Sequence, residues 1–237
     1  MIDDGEGVPK HLQRTVFEPR VTSKLDSMHM DKWGVHGRGM ALYSIAVNAE
    51  SATISASDSG LGSAFVIQTD LNKLPEKTDQ SSFPTFELNE AGTVAVRGPK
   101  NILRTACEFA IESRGAVNVF IGSSTDIAAT LYAFGLGKLS AEDRLSGEND
   151  SRLPICKRLS ACSSLSAFHQ TAESFGLLMS ERSARRILDG QIAPLSPLLA
   201  KIKIDGLQTT HALEKEGAES QGKTANATSR HAKGLKL

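Results

Sequence analysis

The chain has 237 residues, and its 27 lysine and arginine residues balance 27 aspartate and glutamate residues, so the formal net charge is zero. This balance excludes a globally basic surface for nucleic acid or membranes, and any basic patch must be local. Three cysteines without paired or metal-ligand spacing predict the reduced thiols of a cytoplasmic protein, and no apolar run approaches the length of a membrane span.

The first nine residues predict the end of a strand followed by a glycine-rich loop. Asp3, Gly5 and Gly7 stand at alternate positions, so a carboxylate lies beside backbone that glycine leaves free to adopt positive φ. Such a carboxylate can accept a hydrogen bond from an exocyclic amine, for example that of adenine. The alternative interpretation is an ordinary Asp-Gly turn.

Residues 16–24 predict a second loop with one apolar anchor. Phe17 anchors this loop in the core, and Pro19 stiffens it. The loop ends with hydroxyl groups and a cation suited to phosphate contact, on Thr22, Ser23 and Lys24. A surface turn is the alternative. Residues 25–33 predict a connection that can close over a ligand.

A third loop carries Gly34, Gly37 and Gly39, and a helical apolar run follows from Met40. The N-terminus of a helix after such a loop presents free N–H groups and the positive end of its dipole to an anion. Residues 52–68 then predict a β-hairpin, because two alternating strands flank a glycine-rich turn.

Residues 3–68 resemble the second half of the ATP-binding domain of sensor histidine kinases, in the GHKL ATPase superfamily. In chain order, the matching elements are the first glycine box Asp3-x-Gly5-x-Gly7, the F box Phe17-Glu18-Pro19 with Thr22-Ser23-Lys24, the second glycine box Gly37-Arg38-Gly39-Met40-Ala41-Leu42, and the hairpin. Four elements in this order and spacing make a specific signal. The third glycine of the second box is replaced by Ala41.

The resemblance implies an ATP-binding α+β sandwich of the broad α/β class. Asp3 would receive the adenine amino group, and Gly5 and Gly7 would let the chain pass close to the base. Lys24 and residues 25–36 would form the ATP lid. The phosphates would lie against backbone N–H groups of Gly37, Arg38, Gly39 and Met40, and Arg38 or His36 either adds charge or is simply solvated.

The family's N box, with the asparagine that holds Mg²⁺, is expected before Asp3. We therefore expect an incomplete domain, truncated before its N box, with its Mg²⁺ ligand upstream of residue 1. The complete protein would use ATP and Mg²⁺ to phosphorylate a histidine and would pass the phosphoryl group to a response regulator. None of the six histidines lies in the context of that phosphoacceptor. An inactive gene fragment is an alternative.

After the ATP-binding part, residues 1–72, the sequence predicts four further segments. They are a linker at 73–98 with a short strand at 93–96, an α/β segment of unassigned role at 99–150, a helical segment at 151–206 and a disordered tail at 207–237. Within the α/β segment we predict a helix from residue 102, a strand at 116–121, and a helix that residues 123–126 cap. A phosphate site at that cap is the less favoured alternative.

The helical segment contains a helix–turn–helix-like pattern. A helix ends at Gly176, and a second helix ends at Gly190 and carries three arginines, Arg182, Arg185 and Arg186. These side chains can face phosphates or base edges, so a DNA-binding regulator that retains a degenerate nucleotide fold is the alternative function. A helical hairpin with solvated arginines is the structural alternative, because the turn is about two residues longer than usual.

Overall fold

The computed structural model describes residues 1–21, 30–31, 34–35, 39–70, 72, 82–89, 93–140, 142–143 and 152–205. These residues form a mixed α/β structure of several helices and three small sheets, as expected for the α+β class. Two compact units emerge, one from residues 1–77 and 119–197, the other from residues 78–118 and 198–237. No helix in the described ranges has the length and apolar character needed to cross a membrane.

The strands are β1 (Ile2–Asp3), β2 (Met30–Asp31), β3 (Gly34–Val35), β4 (Ser51–Asp58), β5 (Gly62–Gln68), β6 (Thr85–Leu88), β7 (Val94–Arg97) and β8 (Ile204–Asp205). The helices are α1 (Ala41–Asn48), α2 (Ile102–Glu112), α3 (Ser124–Leu136), α4 (Ile155–Arg158), α5 (Leu165–Ser174), α6 (Glu181–Leu188) and α7 (Leu198–Lys201), with a 3₁₀ turn at Leu159–Ala161.

The first unit contains an antiparallel sheet in the order β1–β5–β4. The predicted hairpin at residues 52–68 is confirmed as β4 and β5, which the turn after Asp58 connects. Gly60 in this turn has a φ of 77°, a left-handed conformation that glycine adopts without strain. The register shifts between Ile54 and Ala56, which marks an irregularity in β4.

One apolar core joins this sheet to the helices α3 to α6. Its buried members are Ala64, Ala128, Ala129, Ile155, Leu159, Phe168, Ala172, Phe175, Leu177, Ala184 and Ile187. Ile2 and Ala56 of the sheet pack against it. Residues 1–72 and most of residues 151–206 therefore lie in the same unit.

Helix α3 begins where the sequence predicts a cap. The Ser123 hydroxyl accepts from the Asp126 amide at 3.3 Å, and the Asp126 carboxylate accepts from the Ser123 amide at 3.1 Å, which forms a capping box. The predicted strand at residues 116–121 is wrong, because these residues form a turn followed by irregular backbone. Within the part of the chain that the structure describes, no strand pairs with this stretch of β-branched residues.

In the second unit, the sheet order is β7–β6–β8, with β6 and β7 antiparallel and β6 and β8 parallel. Phe86 of β6 is buried. The side chain of Asn101 caps α2 by accepting from the Arg104 amide at 2.8 Å, and it also donates to the Ser82 carbonyl at 2.9 Å.

Candidate functional site

The first glycine box begins on the central sheet of the first unit. Asp3 lies opposite Ser63 of β5, which is buried, and the Asp3 carboxylate is partly exposed. The amide of Gly5 donates to Asp3 Oδ1 at 3.0 Å. This local bond turns the chain out of the strand and leaves the carboxylate with further lone pairs for a ligand.

The loop of residues 5–8, called here the glycine loop, lies against the turn of the hairpin. Gly7 has a φ of 69°, and a Cβ at this position would collide with the Asp58 carbonyl. The Val8 amide donates to Ser57 Oγ at 2.7 Å, and the Gly60 amide donates to the Glu6 carbonyl at 2.6 Å. Backbone contact this close requires glycine at position 7.

The F box contacts both the hairpin and the second glycine box. The rings of Phe17 and Phe65 meet edge to face, with centroids 6.4 Å apart and planes at 89°. The Arg20 amide donates to the Gly39 carbonyl at 3.0 Å, and a Cβ on Gly39 would lie 2.5 Å from the Val21 carbonyl oxygen. Gly39 therefore brings the second box against the end of the F box loop.

Helix α1 follows the second glycine box directly. Its N-cap residue, Met40, provides no side-chain hydrogen bond, and the first turn of the helix contains no acidic side chain. The predicted lid and phosphate residues Lys24, Gly37 and Arg38 lie outside the described residues. Of the predicted nucleotide residues, the structure therefore describes Asp3, Gly5, Gly7, Gly39 and Met40.

The second candidate site is the helical pair α5 and α6. Gly176 and Gly190 have positive φ, as their predicted positions after each helix require. The Leu177 amide donates to the Ala172 carbonyl at 2.9 Å and the Gly176 amide donates to the Glu173 carbonyl at 2.8 Å, the pattern of a Schellman motif. A six-residue connection separates the two helices.

The three arginines of α6 share one exposed face. Arg182, Arg185 and Arg186 stand at helical spacings of three and four, and all three are exposed, whereas Ala184 and Ile187 are buried. Among the residues that the structure describes, none pairs with any of these guanidinium groups. An anionic partner can therefore bind this face without breaking an ion pair to another described residue.

The side chains that hold the glycine loop and the neighbouring turn in place carry no signal in the sequence. Gln13 donates to the Val8 carbonyl at 2.9 Å and to the Ser57 carbonyl at 3.0 Å. Arg158 of α4 forms an ion pair of 2.7 Å with Asp58. No sequence signal connects residues 58 and 158, because their contact depends on how α4 packs against the sheet.

Two of the three cysteines, Cys107 and Cys156, are not activated nucleophiles. Burial and, secondarily, the charge of Glu108 raise the pKa of Cys107 to about 11. Burial and then the charge of Asp4 raise the pKa of Cys156 above its usual range. Both thiols therefore stay protonated at neutral pH. In the described ranges, no group of three or more histidine, cysteine, aspartate or glutamate side chains is placed to hold a metal ion.

Comparison of the chain with protein-family models, curated proteins and solved structures returns no significant match. The residues and contacts described above are therefore the basis for any assignment of function.

Proposed function

We propose that residues 1–70 form the adenine and phosphate end of a GHKL-type ATP site, and that the chain belongs to the ATP-binding part of a two-component histidine kinase. In this role the protein uses ATP with Mg²⁺ for histidine phosphorylation, and a response regulator receives the phosphoryl group. The site consists of Asp3, the glycine loop and the backbone from Gly39 to the start of α1.

The observation that carries the proposal is the contact made by each glycine-rich box. Gly7 abuts Asp58, Gly39 abuts Val21, and a Cβ on Gly62 would collide with the Asp3 carbonyl. All three glycines have positive φ. Backbones that approach this closely need glycine. Gly7 and Gly39 occupy glycine positions of the two nucleotide boxes, and Gly62 belongs to the hairpin that follows them.

The chemistry of the described groups fits a purine nucleotide. Asp3 keeps acceptor capacity beyond the 3.0 Å bond from Gly5, so it can accept from the amino group of adenine. Helix α1 begins without a side-chain cap from Met40, and no side chain among the described residues accepts from its first N–H groups, which can therefore donate to a phosphate. ATP requires both features, an acceptor at the base and donors at the phosphates.

The test is calorimetric titration of the full chain with ATP, in the presence and absence of Mg²⁺. Asp3→Asn removes the negative charge and replaces one of the two acceptor oxygens with an NH2 donor. Because the Gly5 amide uses the other oxygen, we expect affinity to fall by about tenfold or more, as for loss of a hydrogen bond to a charged group. Asp4→Asn is the matched control, because Asp4 is exposed and occupies a position at which the box specifies no residue type. A wild-type chain that binds no ATP, or equal losses in both variants, contradicts the proposal.

A second candidate function is DNA binding by α6, and the observation that favours it is the exposed face of three arginines. Guanidinium groups bind backbone phosphates and base edges, and a short helix of this kind fits the major groove. Because the net charge of the chain is zero, any attraction to DNA comes from this local face and not from the charge of the whole protein.

Binding of a double-stranded DNA fragment at several salt concentrations tests this function. Arg185→Ala with Arg186→Ala should weaken retention and reduce the salt slope by about two, since each phosphate contact contributes close to one. The control double variant Lys100→Ala with Arg114→Ala removes two exposed positive charges from the other unit. No retention of the wild-type chain at low salt contradicts DNA binding.

A further inference from the structure

The turn that supports the glycine loop is itself held by a helix from the distant half of the chain. Arg158 Nη2 lies 2.7 Å from Asp58 Oδ2, and their side chains are only 15% and 25% exposed. In addition, the Ile155 amide at the start of α4 donates to the Leu61 carbonyl at 2.8 Å. One side-chain bond and one backbone bond thus fasten α4 to the two ends of the turn.

The guanidinium group of Arg158 is also held by the backbone next to its own helix. Its Nε donates to the Leu153 carbonyl at 2.9 Å, immediately before α4. Leu153, Ile155 and Leu159 around it are buried. The arginine is fixed between the backbone before α4 and the Asp58 carboxylate. The ion pair therefore couples the position of the turn to that of α4, in addition to neutralising the two charges.

The hairpin turn also contacts the glycine loop and fixes the position of its backbone. The Asp58 carbonyl is close enough to collide with a Cβ at Gly7, and the Gly60 amide donates to the Glu6 carbonyl at 2.6 Å. A shift of the Asp58 backbone by a fraction of an ångström therefore moves Gly7, and with it the loop that follows Asp3. The contacts form a continuous series from α4 through Asp58 to the glycine loop.

We propose that Arg158 is a positioning residue of the nucleotide site, acting through Asp58 on the glycine loop. This inference rests on the proposed ATP-binding function. It assigns to the helical segment a part in nucleotide binding: the segment supplies the support that keeps the loop in its binding conformation. Arg158 itself does not touch the nucleotide.

The experiment is a double-mutant cycle on the full chain with Arg158→Met, Asp58→Asn and the two combined, read by the Kd for ATP. We expect each single variant to weaken ATP binding by about tenfold, within the range for contacting pairs. The double variant should lose little more than either single variant, because both remove the same link. Independent, multiplying losses contradict a shared route through Asp58.

The matched control is Ser160→Ala, which removes the 2.7 Å hydrogen bond from Ser160 to the Tyr132 carbonyl in the same helical segment. This bond stabilises the helices without touching the turn. ATP affinity should therefore stay at the wild-type value in Ser160→Ala even if its free energy of unfolding falls. If Arg158→Met behaves like Ser160→Ala in ATP affinity, Arg158 has only a structural role and the inference is overturned.

Hydrogen exchange separates this inference from the proposed function. The amides of Val8 and Gly60 are bonded across the contact between loop and turn, and Arg158→Met should speed their exchange while leaving the exchange of α5 unchanged. Unchanged exchange at Val8 and Gly60 contradicts the mechanical link. A wild-type chain that binds no ATP contradicts both the proposed function and the nucleotide role of Arg158, whereas the exchange rates still show whether the ion pair orders the loop.

Discussion

The glycine loop and the arginine helix α6 are the two candidate binding regions, and their structures differ in kind. In the glycine loop the backbone itself approaches its neighbours, so that Gly7 leaves no room for a side chain. In α6 the binding groups are long side chains on an exposed face, while Ala184 and Ile187 on the opposite face are buried in the core. Binding at the glycine loop would therefore depend on the backbone conformation, whereas binding at α6 would depend on the charge of its side chains.

This difference decides which substitutions separate function from stability. On α6 we expect that an arginine can be removed with little effect on the fold, because its side chain is exposed. In the glycine loop a change of one methyl group alters both the fold and the site, because the same backbone serves both. Three substitutions, from the largest expected effect on the free energy of unfolding to the smallest, test this distinction.

Phe168→Ala should have the largest effect. Phe168 is fully buried in the apolar core, and its ring meets that of Tyr132 edge to face with centroids 5.7 Å apart. We expect the free energy of unfolding to fall by about 3–5 kcal/mol, because the substitution leaves a cavity. Urea denaturation measures this, with Leu178→Ala as the control, since Leu178 is 72% exposed. Similar losses in both variants would show that the helical pair does not share the apolar core.

Gly7→Ala should have the second largest effect. The left-handed backbone at φ 69° costs a residue with a Cβ about 1–2 kcal/mol, and the collision with Asp58 adds to this strain. Gly60→Ala is the matched control, because Gly60 has a φ of 77° but nothing within 4 Å of a Cβ.

The difference between these two glycine variants in urea denaturation isolates the cost of the close approach from the cost of the conformation. If both lose the same free energy of unfolding, then the loop has space at Gly7, and its dependence on backbone contact is contradicted.

Arg185→Ala with Arg186→Ala should have the smallest effect on stability. Both side chains are exposed, so we expect the free energy of unfolding to change by less than about 0.5 kcal/mol. Thermal denaturation by circular dichroism checks this, alongside the DNA retention described above. A large loss of stability would show that the arginines support the fold, and the contrast with the glycine loop would disappear.

The parts of the fold that the sequence predicts correctly are those with local causes. The hairpin of β4 and β5 follows from alternating residues around a glycine-rich turn, and the start of α3 follows from Ser123 and Asp126 in a capping box. Glycines mark the ends of α5 and α6 because a left-handed residue terminates each helix. Each signal spans only a few residues.

The features that the sequence does not predict depend on distant partners. Residues 116–121 carry β-branched side chains but pair with no strand among the described residues, and their backbone is irregular. Asp58 and Arg158 meet across 100 residues of chain, and nothing in either neighbourhood specifies the other. For the candidate site, the same limit applies: the boxes predict Asp3 and the glycines, whereas their supports Gln13 and Arg158 become visible only in the folded chain.

The parallel pairing of β6 with β8 has a consequence for the order of events during synthesis. Phe86 lies beside Ile204, so the sheet of the second unit is incomplete until the ribosome has added more than a hundred further residues. At typical elongation rates this is a wait on the order of ten seconds. Much of the first unit emerges during that interval, so β6 and β7 form an open edge early in the life of the chain. Pulse proteolysis of nascent chains that end before or after residue 205 would measure whether β6 and β7 are protected from cleavage only once β8 has been synthesised.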